Sequence, residues 1–560
     1  MRVVQRLEFD NVFPEEDPKE IMEYLVKISR EILLKFIGFS TTRDQPNYTK
    51  IFSNLTTQAD IDKRVADYGR KYSLPERPIL VSREASLMFA EIVLANRDEL
   101  LKKTDERNVD DEELNLFKAY LLVNKNANEK QNLGNAEHNI DRLADMFMAM
   151  GFASADIGNS ENVDLEFAKT LYAMLVKFEY LLEFVQREEN EYMAQALIDT
   201  FGQEDLEGLN YQVKTLASQL LRLKHENAYI VSPERQDHIA FLKCLTSSKI
   251  EPSADFTNLK IFPIYEIEEG RFSLVDYFYV IDKFFKSIKF TLKEAFVKHH
   301  KLKPKDSSFF SYYNLHFSED VVMKNVLDDI FHWPYQKKRQ EAETKDSEPD
   351  YYVRHNNRIY LFENKDILVA AGIKSSSDID EIEALLKKKF VHDGERHVGI
   401  GQLITSIKQI VDNKFPYADY VNKKKNFTIY PILLVSDRIF EIPGMNYKLN
   451  KWYIELVKER LGDAYNSNFI RPLTFVDIDT LIYWTPYLVK DSKYFREIIE
   501  NHHKEMNREV KINNPDLQQG EIQARKAISK RLSAISYRAQ DFTFPVDLLV
   551  DKFRDILPEN

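Results

Sequence analysis

Two adjacent asparagines, Asn356 and Asn357, stand between Tyr351-Tyr352-Val353-Arg354-His355 and Arg358-Ile359-Tyr360-Leu361-Phe362, two runs of β-prone residues. Asparagine tolerates positive φ, so a two-residue turn can join the runs into a hairpin. Once the turn is placed, the register is no longer free. His355 faces Arg358, Val353 faces Tyr360, Tyr351 faces Phe362 and Asp350 faces Glu363. Residues directly opposite share a face, with Cβ atoms about 5 Å apart. Lys365, two residues beyond Glu363, points to that same face. The register predicts a small acidic pocket with an ammonium at its edge.

Such a pocket suits one chemistry particularly well. Two convergent carboxylates bind a hard divalent cation, Mg²⁺ or Mn²⁺, and leave coordination sites for water and a phosphate oxygen. The metal lowers the pKa of bound water and stabilises charge on phosphate. A neighbouring lysine orients or deprotonates the attacking water and neutralises developing charge. The expected reaction is hydrolysis of a phosphodiester, and the expected substrate is nucleic acid, DNA before RNA.

Periodicity divides the chain. Apolar residues recur at helical spacing in Ile21 to Phe36, Ser86 to Leu101, Asn139 to Met150, Leu165 to Arg187, Glu191 to Glu207 and Tyr211 to His225. This predicts a helical region over 1–230, an accessory or regulatory half that could carry a protein partner or an oligomer contact. Residues 231–310 read as a small α+β connector, with a strand at Leu259 to Ile267, a strand or buried helix at Phe272 to Val280 and a helix at Phe284 to His299. Over 311–495 helix and strand alternate. Ser318 is placed as a helix N-cap, the Ile379 to Phe390 and Gly401 to Asn413 stretches as helices, and Phe427 to Ser436 as a buried strand. Tyr447 to Leu461 follows as a helix and Phe469 to Ile478 as a last strand. The tail, 496–560, reads as charged helix. The overall class is α+β: a mostly helical N-terminal half followed by an α/β core with a mixed sheet.

Pro349-Asp350 followed by Glu363-Asn364-Lys365 on the next strand resembles the PD-(D/E)XK nuclease superfamily. The resemblance covers roughly Tyr312 to Tyr487 and implies a restriction-endonuclease-like core. It makes Asp350 and Glu363 metal ligands and Lys365 the catalytic lysine, with the Asn364 carbonyl also able to reach the metal. Many members add a glutamate from the preceding helix, here Glu319 with Asp320 as the alternative. Many also add a glutamine on a following helix, here Gln402 as a further catalytic residue. The sequence departs from the compact pattern twice. No strand is evident between Phe331 and Pro349, and 36 residues separate Lys365 from Gln402, which predicts a charged helical insert. Some bacterial restriction and phage-defence nucleases resemble this layout, a long accessory half followed by such a core.

Composition sets the remaining limits. Net charge is −12, so the chain does not coat nucleic acid by bulk charge and would need a local basic groove. Lys387-Lys388-Lys389 and Lys423-Lys424-Lys425 are the lysine runs that flank the core, the candidates for phosphate contact. Solvated faces are their ordinary use. The lone Cys244 excludes an internal disulfide and fits a cytoplasmic setting. No apolar run suits a signal peptide or a membrane span, so no membrane partner is expected. His299-His300 and His502-His503 lack partners for a metal site and read as surface or packing residues. Trp333, Trp452 and Trp484 read as core. No phosphate-binding Gly-x-x-x-x-Gly-Lys-Ser/Thr loop or nucleophile elbow occurs. Two rival readings remain: an inactive nuclease fold that only binds nucleic acid, and a helical protein-interaction scaffold.

Overall fold

The computed structural model describes residues 6–42, 51–73, 78–100, 109–129, 140–154, 163–334, 337–340, 349–376, 378–416, 427–508, 517–538 and 546–556. The N-terminal part is helical. Its helices include Ile21–Leu25, Arg30–Thr42, Leu55–Lys71, Arg83–Ala95, Val109–Glu129, Ile140–Ser154, Val163–Val185, Glu191–Phe201 and Leu206–His225. Short polar side chains set several of their starts. Asn54 accepts from the amides of Thr56 and Thr57, Ser82 from Ala85, and Asp205 from Gly208, each satisfying a donor that the first turn leaves open. At the other end, Gly202 with φ +60° terminates Glu191–Phe201, the left-handed stop that glycine supplies without strain.

A small antiparallel sheet follows, β1 (Ile230–Val231), β2 (Ile264–Glu268) and β3 (Arg271–Leu274), in the order β1-β3-β2. The strand expected over Leu259 to Ile267 is corrected here: Thr257–Ile261 is a helix and only Ile264–Glu268 is extended. Pro263 stands between the two, where it ends the helix and starts the strand.

The main sheet of the described residues has five strands: β4 (Lys337–Gln340), β5 (Tyr351–His355), β6 (Arg358–Lys365), β9 (Thr428–Val435) and β10 (Thr474–Asp477). A short hairpin, β7 (His392–Asp393) with β8 (Arg396–His397), lies between β6 and β9 in the chain. The strand order is β10-β9-β6-β5-β4, antiparallel at the β4 and β5 end and parallel from β6 to β10. The fold is therefore α+β with a mixed sheet in the C-terminal half. β4 occupies the stretch where no strand was expected. Lys-Lys-Arg-Gln carries no apolar alternation, the pattern by which a strand is read from sequence.

Both faces of the sheet are covered. Tyr351, Val353, Tyr360, Phe362, Tyr430, Ile432, Leu434 and Val476 point into one core, shared with the Val163–Val185 helix and the Ile478–Leu488 helix. Tyr352, Ile359, Leu361, Ile429, Leu433 and Phe475 point into another, shared with Ile140–Ser154, Ile379–Phe390, Ile400–Val411 and Met445–Leu461. The strands thus read as near-continuous apolar runs, as central strands buried on both sides must. Pro431 sits inside β9 without breaking it. The Ile429 amide donates to Phe469, so by alternation the missing N–H of Pro431 also faces β10. There it falls between the Ile429–Ile470 bridge and the ladder that begins at Ile432–Thr474, and no ladder bond is lost.

The charged insert between Lys365 and Gln402 is helical: Ala371–Ser376 and Ile379–Phe390, then the β7–β8 hairpin. Among the described residues, no helix is long and apolar enough to cross a membrane. Trp484 is buried, Trp452 is half-buried, and Trp333 is 37% exposed rather than core.

Candidate active site

The hairpin sets the site. Asn356 takes φ +55°, and the ladder pairs His355 with Arg358, Val353 with Tyr360 and Tyr351 with Phe362, the register that the turn chemistry requires. The ladder stops at Tyr351. Asp350, one place further on, spends its carboxylate on β6 instead: its Oδ2 accepts from the Asn364 amide at 2.6 Å. Glu363 is fully buried, and Lys365 Nζ donates to its Oε1 at 2.7 Å. Alternation puts Glu363 and Lys365 on the face of Leu361, towards the Ile400–Val411 layer.

The electrostatics of this group are unbalanced. Burial pushes Asp350 above the usual carboxylate range, and the Lys365 charge with the Asn364 amide only partly offsets it. Burial also disfavours the Lys365 ammonium, but the Glu363 and Asp350 carboxylates and the nearby Glu319 charge overcome it and raise its pKa. Three acidic groups therefore act on a single ammonium. Asp320, the alternative to Glu319, lies next to His316 at 3.5 Å.

Glu319 reaches this edge from the other layer. It lies in a π-helix, Asn314–Met323, a wide-turned form that is rare at this length and often marks functional positions. Ser318, expected to cap a helix, instead lies inside this segment, and its hydroxyl donates to Asp366 Oδ2 at 2.8 Å. Asn314 Nδ2 donates to the Asp366 carbonyl at 3.2 Å, and Lys289 Nζ meets Asp366 Oδ2 at 2.6 Å. Lys289 and Asp366 are both nearly buried, with side chains 7% and 8% exposed. A helix whose widened turns let Ser318 reach the Asp366 carboxylate and Asn314 the Asp366 carbonyl has no local sequence signature. Asp366 follows Lys365 directly and was open to suspicion on that ground alone. Lys289 carried no signal.

Gln402 has a local task. Its Oε1 accepts from the Gly399 amide at 2.8 Å, capping its own helix. Gly399 has φ +50°, and a Cβ there would stand 2.9 Å from the Phe390 carbonyl. The same Cβ would lie 3.4 Å from Leu433 Cδ1, and Leu433 is the register partner of Glu363. The positive end of the helix therefore lies near the acidic row.

Lys387, Lys388 and Lys389 are exposed on the Ile379–Phe390 helix. Lys387 pairs with Glu383 at 3.5 Å and lies over the Trp452 ring, and Lys388 is 3.8 Å from Asp393. Lys423, Lys424 and Lys425 lie outside the described residues.

Charge also collects beside the site, at the carboxyl ends of β9 and β10. Lys286 meets Asp437 at 2.6 Å and Arg438 meets Asp282 at 2.9 Å, and Lys169 meets Glu441 at 2.9 Å with Asp477 close by. Burial opposes the Asp437 charge, but Lys286 and its hydrogen bonds hold the group down at about 2. Lys374 is pushed down to about 8 by burial, against the attraction of Asp437. The carboxyl ends of parallel strands are where α/β sheets place their ligands.

Among the described residues, no three His, Cys, Asp or Glu side chains converge as a ready-made metal cage. The donor chemistry nevertheless fits a hard divalent cation: two buried carboxylates, a third nearby and one ammonium to balance them. Comparison with protein-family models, with curated proteins and with solved structures finds no match for this chain.

Proposed function

We propose that the chain is a metal-dependent nuclease that hydrolyses phosphodiester bonds, DNA favoured, at Asp350, Glu363 and Lys365. The observation that carries this reading is the Lys365–Glu363 contact of 2.7 Å at the end of β6, with Asp350 held on the adjacent Asn364 amide. Asp350 and Glu363 are the residues that would hold Mg²⁺ or Mn²⁺, with Glu319 and the Asn364 carbonyl as further donors. When bound, the metal supplies an acidified water and charge stabilisation at phosphate.

The residues of the chain supply the rest. Asp350 and Glu363 leave the attacking side negative enough to take up a cation. Lys365, held charged by its neighbours, stands ready to leave Glu363, orient the water and neutralise charge on the phosphate oxygens. The resemblance to bacterial defence nucleases extends the reading to a regulated setting, with the N-terminal helices as the control element. The rival reading, a fold that binds nucleic acid without cutting it, draws on the absence of a three-ligand cage among the described residues.

The test is cleavage of plasmid DNA and single-stranded RNA with Mg²⁺, Mn²⁺ or EDTA, by wild type and by Lys365→Ala. Metal-dependent cutting that Lys365→Ala abolishes supports the site and names the substrate. Cutting that survives the substitution places the active site elsewhere. Binding without cutting by wild type favours the rival.

A further inference from the structure

A row of rings crosses the surface towards Glu319. His299 stacks flat on Tyr192, with centroids 4.0 Å and planes 10° apart. Tyr192 meets His300 edge-on at 5.9 Å, His300 meets Phe296 at 4.3 Å, Phe296 meets Tyr312 at 5.4 Å, and Tyr312 meets His316 at 4.7 Å. His316 lies on the same π-helix as Glu319, three residues before it. The row therefore ends on the segment that carries Glu319, where His316 lies 3.5 Å from Asp320. Its members come from three separate stretches of chain and meet only in the fold.

The rings differ in exposure in a useful way. Phe296 is buried beneath the row, Tyr192, Tyr312 and His316 are half-buried, and His299 and His300 are exposed. The Tyr312 hydroxyl donates to Asn190 at 2.7 Å, which holds that ring in place. A planar ligand that settles on His299 extends a stack already built.

Charge surrounds the exposed end. The segment reads Lys298-His299-His300-Lys301-Leu302-Lys303-Pro304-Lys305, and Lys298, Lys301, Lys303 and Lys305 are all exposed. Among the described residues, no ion pair holds any of these four lysines. They form a local cationic turn on a chain whose net charge is −12. Glu188, Glu189 and Glu191 flank Tyr192 in sequence, and the Glu189 charge also reaches Tyr312, so the positive ground lies at the lysine-bearing turn and not along the row. Stacking rings beside phosphate-seeking lysines are the two parts of a single-strand binding track: every base has a π-face, and the backbone is read by charge.

We infer that this ring row and its lysines bind a single-stranded stretch of nucleic acid. Bases stack from His299 along the row, and phosphates meet Lys298, Lys301, Lys303 and Lys305. The strand's destination at Glu319 rests on the nuclease reading, whereas the binding does not. A double helix keeps its bases stacked on one another, so the track selects strands whose bases are free.

The experiment is fluorescence anisotropy of a labelled single-stranded DNA oligonucleotide with full-length protein in EDTA. The variants are His299→Ala and the quadruple Lys298→Gln, Lys301→Gln, Lys303→Gln, Lys305→Gln, all at exposed positions, with circular dichroism to confirm folding. The quadruple variant should lose affinity and flatten the salt dependence by about 0.7 in log–log slope for each phosphate no longer neutralised. His299→Ala should weaken binding by roughly fivefold or more with little change in slope. Unchanged affinity in both variants overturns the track, as does equally tight binding of poly-glutamate or anionic vesicles. Cleavage by wild type with affinity unmoved by the variants sinks the track alone. Sensitive binding without any metal-dependent cleavage sinks the nuclease reading and leaves the track standing.

Discussion

Ser318 donates its hydroxyl to Asp366 at 2.8 Å, and this bond ties the residue before Glu319 to the residue after Lys365. A helical layer and the end of a strand of the sheet are thereby pinned together. Lys289 closes the arrangement by meeting the same carboxylate oxygen at 2.6 Å, and it lies 4.8 Å from the centroid of Tyr313 on the preceding turn. The edge of the site is therefore held by a carboxylate that need not touch substrate at all.

Removing the Ser318 hydroxyl should cost about 1.5–3 kcal/mol, the ordinary worth of a hydrogen bond to a charged group. Removing the Asp366 charge should cost more, about 3–5 kcal/mol, because it leaves Lys289 buried without its partner. Replacing both, as Lys289→Met with Asp366→Leu, should recover much of that loss. Urea denaturation of the singles and the double forms a cycle that measures the pair. A double variant no more stable than Asp366→Leu alone would show that Lys289 does not depend on Asp366.

The same geometry separates the catalytic role proposed for Lys365 from its role in stability. Without the ammonium, Glu363 is a fully buried carboxylate that must take up a proton or unfold its surroundings. Lys365→Ala should therefore lower the melting temperature, while Lys365→Ala with Glu363→Gln should restore it. Neither should cut nucleic acid, with losses of at least about 100-fold. Restored cleavage in the double variant would mean that the two residues serve the fold only.

Acid should unfold the protein through a histidine pair whose sequence reads only as surface or packing. His502 is wholly buried and His503 nearly so. His502 Nε2 lies 3.2 Å from Asn446 Oδ1, and Arg538 Nε donates to its Nδ1 at 3.3 Å. His503 Nε2 lies 3.0 Å from Thr474 Oγ1, and Arg471 is close by. Burial first, and the His503 and Arg538 charges next, hold His502 well below its usual value. Burial with the Arg471 charge pulls His503 down to about 3. A folded pKa below the unfolded one means that the unfolded chain binds the proton first. The stability is complete above about pH 6.5 and drains as pH falls from there towards the folded values. Between pH 7.5 and 5.0 each histidine should remove about 2 kcal/mol. Chemical denaturation at the two pH values, on wild type and His502→Gln, checks this. An equal pH dependence in both proteins would clear His502.

How far the sequence discloses this molecule depends on how local each cause is. Asn356-Asn357 announces its own turn, and alternation then fixes which residues meet across β5 and β6, so the hairpin was legible, whereas Asp350, expected opposite Glu363, lies beyond the ladder on the Asn364 amide. Phe427 to Ser436 was legible as a strand because β9 is buried on both faces. Lys337–Gln340 was not, since an edge strand owes its pairing to its neighbour β5 and not to its own pattern. The π-helix was hidden for a similar reason: Ser318 and Asn314 converge on Asp366, a residue that only the fold brings near. Lys289, 77 residues from Asp366, and the ring row of Tyr192, His299, Tyr312 and His316 depend on neighbours that no window of sequence contains. Gln402 carries a local cause beside the role that the resemblance implies: a glutamine three residues after Gly399 suits a helix cap, and its oxygen is engaged there.

Among the described residues, Ile140–Ser154 carries the N-terminal half onto the layer of Ile400–Val411. Ile140–Ser154 lies on the helices that follow β6, with Met148 and Phe152 in the core of that layer. Lys448 binds Asp145 at 2.6 Å, and Lys451 binds Asp141 at 3.0 Å. The close approach depends on Gly444, whose φ is +95° and whose Cβ would stand 2.7 Å from the Ala144 carbonyl. Backbone cannot yield as a flexible side chain can, and the left-handed φ adds strain of its own. Gly444→Ala should therefore push Ile140–Ser154 off Met445–Leu461 at a cost of about 1–3 kcal/mol. Hydrogen exchange should show reduced protection over 140–154 before any reduction in β6 and β9. If the helical half restrains the nuclease, the same variant should cut faster than wild type. Slower cutting with protection reduced would instead make this helix a support of the site, and unchanged protection would show that the two helices adjust without parting.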